Sequence, residues 1–331
     1  MARKGILLYS GGLDSLLAGK VLLEQGIEIA SVQFISPFKP LDDDPSLSAA
    51  ARHARNIGLP LRFVRCGREY MDMVKNPLHG YGKNMNPCID CKIHFLREAK
   101  KMMEAQGASF VATGEVVGQR PMSQMRHMLN HIEKESGLEG NLLRPLSAKL
   151  MKETNAEKSG IVDRTSLLAI NGRSRGAQME LAARYGIAEY GAPAGGCLLT
   201  DAPIARRVKD LFRFVPGFSM TDVYLLAVGR HFRLRENLKI IVGRSEVENR
   251  ELEKYRHEAD CFAVPEFKGP ALYARGGFTG NDLETLAGMC ARYGKPEPEN
   301  NTLLCTLADG TEIKCPCLEK IDDDVLDKLR I

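Results

Sequence analysis

Residues 7–17 read LLYSGGLDSLL, an apolar run that stops at Ser10, Gly11 and Gly12 and resumes after Asp14 and Ser15. A strand that ends in such a turn and reopens as a helix leaves the first helical N–H groups unpaired, beside the positive end of the helix dipole. That arrangement attracts phosphate. Gly11 and Gly12 let the backbone approach an anion, and the hydroxyls of Ser10 and Ser15 add hydrogen bonds. The Gly-Lys-Ser/Thr ending of the commonest nucleotide loop is absent, which argues against a GTPase or a motor-type ATPase.

Working outward, apolar runs at Ile6-Tyr9, Ile29-Ile35, Leu61-Val64 and Phe110-Thr113 alternate with helix-like segments at Leu13-Gln25, Leu47-Ile57 and Lys92-Gln106. This rhythm predicts an α/β fold, a parallel sheet with crossover helices. The Pro/Gly-rich stretch YGAPAGGCLLTDAP at 190–203 interrupts it. Beyond lie short strand-like runs at Leu238-Val242, Ala271-Ala274, Thr302-Leu307 and Thr311-Lys314, with helical segments near Glu246-Tyr255 and Asn281-Arg292. These predict a second, smaller α+β domain. The expected division is a first domain over 1–200, a basic linker over 201–220 and a second domain over 221–331.

With 331 residues, 44% hydrophobic and 27% charged, the composition is that of an ordinary globular protein of about two domains. No run approaches the ~18 apolar residues of a membrane span, so no membrane association is expected. The first strand is expected to begin near residue 5, so no leader segment is expected ahead of it. Nine cysteines, an odd number, argue for a reducing, cytoplasmic setting, and for metal or thiol chemistry wherever they cluster. The whole surplus of +4 sits in one segment: Arg206, Arg207, Lys209, Arg213, Arg230, Arg233, Arg235 and Lys239 oppose only four acids between 201 and 240. Such a patch suits a polyanion such as RNA, or else a solvated face with distant acidic neighbours.

Cys88 and Cys91, in NPCIDCK, stand two residues apart before a helical pattern, where two thiolates can share one metal or cluster. Cys197 is flanked by glycines that let the chain pass closely around something bulky. Four readings remain open: an iron–sulfur cluster, a zinc site completed by His79 or His94, a persulfide relay between Cys91 and Cys197 without a metal, or inert structural cysteines. Cys66, Cys261, Cys290, Cys305, Cys315 and Cys317 are expected to be structural, and Met122, Met125 and Met128, at helical spacing, to lie in the core.

The motif Ser10-Gly11-Gly12-x-Asp14-Ser15 after an N-terminal strand resembles the pyrophosphate loop (PP-loop) of the ATP pyrophosphatases, which adenylate a carbonyl oxygen. The resemblance implies ATP and Mg2+ as cofactors, with Ser10, Gly11, Gly12, Asp14, Ser15 and Gly114 around ATP, Asp14 catalytic, and the backbone near Phe34 and Ile35 against adenine. Cys88, Cys91 and Cys197 resemble the catalytic, metal-holding cysteines of cluster-dependent tRNA thiolation enzymes, which implies a 4Fe-4S cluster. NPCIDCK is also similar to the cysteine segment of tRNA 2-thiouridylases. Thr113-Gly114-Glu115, Gly118-Gln119, Ser123-Gln124 and Leu143-Arg144-Pro145-Leu146 follow the order found in tRNA 4-thiouridine synthetases, while Arg120-Pro121-Met122 departs from it.

Val242-Gly243-Arg244, Glu248-Asn249 and Leu252 resemble the RNA-binding module of ribosome-quality-control proteins, NFACT-R. The expected activity is ATP-dependent thiolation of a tRNA uridine, with Gln119, Arg206, Arg207, Arg230, Arg233, Arg235 and Arg244 on the RNA. The expected partners are tRNA and a sulfur donor, either a cysteine desulfurase or inorganic sulfide, with a homodimer as a possible assembly. Sulfur insertion into a small metabolite or carrier protein, and a non-catalytic RNA-associated ATP-binding protein, are the competing classes.

Overall fold

The computed structural model describes residues 3–40, 43–191 and 197–331. The chain divides into two compact units, the first running to Cys197 and the second beginning at Leu198, with a short segment from Pro37 added to it.

In the first unit, strands β1 (Lys4–Leu8), β2 (Glu28–Ile35), β3 (Leu61–Arg65), β4 (Phe110–Thr113) and β5 (Leu142–Leu143) form one sheet in the order β3-β2-β1-β4-β5. Every neighbouring pair is parallel. The connections include α1 (Leu13–Leu23), α2 (Ala49–Asn56), α3 (Arg68–Lys75), α4 (Cys88–Ala105) and α5 (Arg126–Glu135), and α6 (Asn155–Lys158) and α7 (Gly176–Arg184) follow the last strand. Alternate side chains sort to opposite faces of the sheet. Leu7, Ile29 and Ala112 pack in one buried cluster with Leu16 and Leu17 of α1 and Leu181 of α7. Ile6, Val32 and Val111 pack in another with Ile93 and Leu96 of α4 and Ile132 of α5. Burial on both faces is why these strands read as unbroken apolar runs.

The strand order reverses between β1 and β4, since the chain leaves β1 toward one edge and β4 toward the other. In a doubly wound sheet that reversal opens a crevice at the carboxyl ends of the two strands.

The second unit begins with α8 (Ala202–Phe214) and α9 (Met220–Leu225). A six-stranded sheet follows, made of β6 (Arg230–Arg235), β7 (Leu238–Val242), β8 (Cys261–Pro265), β9 (Leu272–Arg275), β10 (Thr302–Leu307) and β11 (Glu312–Pro316) in the order β11-β10-β8-β9-β7-β6. All five pairings are antiparallel. One face carries α11 (Leu283–Tyr293) and α12 (Asp323–Leu329), packed on Phe232, Ile240 and Leu303. Ile241 and Tyr273 on the other face join Leu225 of α9 and Leu252 of α10 (Glu246–Lys254).

The stretch 201–220, expected as a linker, instead holds a capped amphipathic helix. Asp201 accepts from the Ile204 amide, and Ile204, Ala205, Val208 and Leu211 are buried. Met122 and Met125, expected in the core, are 54% and 41% exposed, because the chain turns between β4 and α5 rather than continuing a helix there. Cys66, Cys261, Cys290, Cys305 and Cys317 are buried and Cys315 is half-buried, as their structural reading requires. Among the described residues no helix is long and apolar enough to cross a membrane.

Candidate functional site at the strand-order reversal

Residues 9–12 leave β1 and turn into α1 with Gly12 as the N-cap, which offers no side chain to the first-turn amides. Gly11 has φ +81°, a left-handed conformation that favours glycine. The two serines knit the turn. Ser15 Oγ donates to Gly12 O (2.9 Å) and lies 3.1 Å from Ser10 Oγ, while the Gly12 amide donates to Ser10 Oγ (3.4 Å). Ser10, Gly11, Gly12, Asp14 and Ser15 are thus brought together at one helix start. Gly114 closes the other wall. A Cβ there would stand 2.4 Å from the Ser15 nitrogen and 2.5 Å from the Asp14 carbonyl carbon, so only glycine lets the exit of β4 lie against α1.

Asp14 is the acid of this turn. Its Oδ2 accepts from Gln119 Nε2 at 3.1 Å, whereas Oδ1 is buried without a hydrogen-bond partner. A buried carboxylate oxygen lacking a partner is costly unless a cation or donor completes it. Gln119, expected on RNA, therefore reaches the turn between β1 and α1. Gln124 Oε1 is a second buried acceptor without a partner. Both residues, with Ser10, Lys92, Glu115 and Cys197, line one cavity of about 470 Å³.

Glu115 ties three sequence motifs into this wall. Its carboxylate accepts from Lys92 (2.5 Å), Arg144 Nε (3.2 Å) and Thr113 Oγ1 (3.2 Å). Burial works to raise its pKa, but the Lys92 and Arg144 charges outweigh that and hold it at about 2. Arg144, fully buried, also donates to Glu133 (2.8 Å) and to the Leu129 carbonyl (3.1 Å). Sequence reading matched these motifs in order without assigning Lys92, Glu115 or Arg144 a role. The signal was that each places one charge where an apolar strand end or helix face would otherwise run.

Phe34 lies at the carboxyl end of β2, and its ring stacks on Phe95 at 4.5 Å, which in turn stacks on Tyr70 at 5.7 Å. Ile35, next in the strand, accepts the Cys66 amide on its carbonyl.

Cys88 opens α4 and Cys91 follows within its first turn. The Tyr70 hydroxyl lies 3.7 Å from Cys91 Sγ. Burial pushes the Cys91 thiol up to about 12; the Tyr70 contact opposes this, and the neighbouring Cys197, Cys88 and Cys66 add to it. Cys197 is exposed. Among the described residues no three His, Cys, Asp or Glu side chains are arranged to hold a metal ion. His79, one of the two zinc candidates, has both ring nitrogens engaged, with Asp90 at 3.0 Å and His131 at 2.8 Å. The other, His94, packs its ring against Tyr70 and Phe95.

In the second unit most of the arginines expected on RNA have protein partners. Arg207 is buried and donates to the Leu226 and Gly229 carbonyls at 2.7 and 3.1 Å. Arg233 is bidentate on Asp210, Arg235 on Asp282, and Arg244 pairs with Glu248. Arg230 donates to the Gly243 carbonyl and lies over the Tyr293 ring at 4.6 Å. Arg206 and Lys209 are exposed on α8.

Comparison with known proteins follows the same division. Residues 1–157 match the family described as thiamine biosynthesis protein (ThiI), and residues 229–325 match the NFACT protein RNA binding domain. Among curated relatives, the tRNA-specific 2-thiouridylase MnmA of Syntrophotalea carbinolica is 32% identical over 121 residues, covering 33% of this chain and 33% of that protein. MnmA of Clostridium acetobutylicum is 33% identical over 135 residues, covering 34% and 36%. The chain thus spans about a third of the length of these relatives. Among solved structures, a 4-thiouridine synthetase–RNA complex with bound ATP is 29% identical with a TM-score of 0.33, covering 49% of this chain and 39% of that one. The U34-tRNA thiolase NcsA from Methanococcus maripaludis with its [4Fe-4S] cluster is 18% identical with a TM-score of 0.34, covering 69% and 71%. Residues 1–157 are a PP-loop domain of the ThiI kind, joined on one chain to an NFACT-type RNA-binding domain over residues 229–325.

Proposed function

We propose that the protein is an ATP-dependent tRNA sulfurtransferase that converts a uridine carbonyl to a thiocarbonyl. The observation that supports this best is that a phosphate-binding turn and a cysteine, Cys197, line one cavity. The triphosphate lies on the Ser10–Gly12 turn and the start of α1, where amides and the helix dipole take negative charge. The unpartnered Asp14 Oδ1 fits a divalent cation; Mg2+ held there, when bound, offsets charge on the phosphates. The uridine oxygen attacks the α-phosphorus and pyrophosphate leaves. The carbon then carries AMP, a good leaving group, in place of an oxygen that departs poorly.

Sulfur delivery belongs to the cysteines. The described residues do not form a three-ligand cage for a cluster. A persulfide on exposed Cys197 supplies the terminal sulfur as nucleophile, and AMP departs. The Cys91 thiol then attacks Cys197 Sγ, breaking the S–S bond to leave the thiocarbonyl and a Cys91–Cys197 disulfide. Hydrosulfide opening that disulfide restores the persulfide and a free thiol. The cycle needs no outside oxidant or reductant. A raised Cys91 pKa keeps it a protonated thiol until the disulfide step.

The test is anaerobic turnover of the full chain with Mg-ATP, sulfide and bulk tRNA, reading pyrophosphate and the nucleosides of the digested tRNA. Pyrophosphate release that rises with tRNA, together with a thiouridine peak, is expected. Release that ignores tRNA and rises with a small metabolite would replace this reading with the metabolite one. No release at all would leave only the binding class.

A further inference from the structure

The second unit holds a cavity of about 260 Å³ that none of the reactions above uses. Leu211, Phe214, Leu225 and Ile241 give it apolar walls, and Asn237 stands at its margin. Two donors face it, one without a hydrogen-bond partner and one held only by a long ion pair. Tyr273 is 2% exposed, and its hydroxyl has no hydrogen-bond partner among the described residues. Neighbouring Arg275 directs its Nη1 to Asp222 and Glu258, at 2.8 and 3.1 Å. Lys239 Nζ lies 3.8 Å from Asp210, beyond hydrogen-bond reach, because Arg233 takes both oxygens of that carboxylate. Burial lowers the Lys239 ammonium to about 8 against the pull of Asp210.

A buried hydroxyl and a half-buried ammonium left short of acceptors each cost free energy that a ligand could return. Lysine offers donors alone, so the occupant must present acceptors on an otherwise apolar, compact body. Guanine, with O6 and N7 on one edge, and uracil, with two ring carbonyls, have that pattern, whereas adenine places an amino donor there. We infer that this cavity receives one acceptor-edged nucleobase, guanine or uracil, donated to by Lys239 and Tyr273. Unpaired bases splayed into protein pockets are the usual route to sequence-specific RNA reading. The RNA source rests on the RNA-binding reading of this unit; the base pocket itself does not.

The test uses the full chain with guanosine, uridine and adenosine, which lack the phosphates that the first unit would grip, and separately a mixed-sequence single-stranded RNA and bulk tRNA. Guanosine or uridine is expected to bind at least about ten-fold more tightly than adenosine. Tyr273→Phe should lower that affinity about ten-fold while leaving Tm nearly unchanged, since the hydroxyl donates to no acceptor among the described residues. Lys239→Gln should do the same and serves if the first variant does not fold. If both variants also weaken RNA, the base comes from RNA. If RNA is bound but unaffected, or not bound at all, while guanosine or uridine binding falls, the pocket takes a free nucleoside or nucleotide. Unchanged nucleoside and RNA affinities in folded variants would overturn the inference.

Discussion

The glycine turn of the first unit and the basic segment of the second treat their polar groups in opposite ways. In the first, acceptors around the crevice are left open: Asp14 Oδ1 and Gln124 Oε1 are buried without partners, beside a helix start whose cap is a bare glycine. In the second, the arginines that give the sequence its basic segment are largely closed on carbonyls and carboxylates. A charge counted along the chain is therefore not a charge presented to a partner. What points to a ligand is a polar group the fold has buried and not paired, because natural structures rarely tolerate one without a use.

That contrast can be broken most directly at the cysteines. Cys91→Ala or Cys197→Ala should abolish thiouridine formation while pyrophosphate release continues, since the phosphate turn is built from other elements. Normal thiolation in either variant would mean that the open side of the first unit is not where sulfur travels. Iron in anaerobically purified protein, lost in the same variants, would restore the cluster in place of the persulfide.

Next in size, Asp14→Asn should cut pyrophosphate formation by about a hundredfold or more with Tm nearly unchanged, because an open acceptor contributes to ligand and not to fold. A fall in Tm with activity retained would reverse the assignment. Glu115→Gln should do the opposite of Asp14→Asn and destabilise by roughly 3 kcal/mol, since Lys92 and Arg144 would stay buried with a weakened partner. The same carboxylate makes the fold acid-sensitive. Its pKa is about 2 when folded and near 4.5 when unfolded, so its contribution is complete above pH 4.5 and fades as pH falls toward 2. Thermal melts of wild type and Glu115→Gln should converge over that window.

The smallest effects separate open from closed arginines. Arg206→Ala with Lys209→Ala should flatten the salt dependence of tRNA binding by about one to two charges at constant Tm. Arg235→Ala should leave that slope alone and lower Tm by a few degrees, because its charge is spent on Asp282. Equal slopes for the two variants would erase the distinction.

Much of the first unit was legible because its signals are local. Ser10–Ser15 carry their own geometry, and strands buried on both faces announce themselves as apolar runs. The partners of those signals were not legible. Gln119 carries no mark that it will reach Asp14, and nothing in Lys92, Glu115 and Arg144 as spaced residues says that they meet. In the second unit β6, RHFRLR, reads as charge rather than strand, since its basic side chains alternate with His231, Phe232 and Leu234, and only pairing with β7 reveals it. Strand β8 ends in a proline and is likewise hidden. In α8 the apolar spacing of Ile204, Val208 and Leu211 is interleaved with Arg206, Arg207 and Lys209, so the segment reads as a basic linker until its buried face is seen.

The parallel bridge between Gly12 and Gly191 has a consequence in time. The turn that opens the chain is braced by backbone made only when the first unit is nearly complete. At about 5–20 residues per second, roughly 10–40 s of synthesis separate the two glycines. Through that interval a nascent chain carries the nucleotide-binding signature without its brace, so tight ATP binding should begin abruptly and late, as a marker that the last segment of the unit has docked.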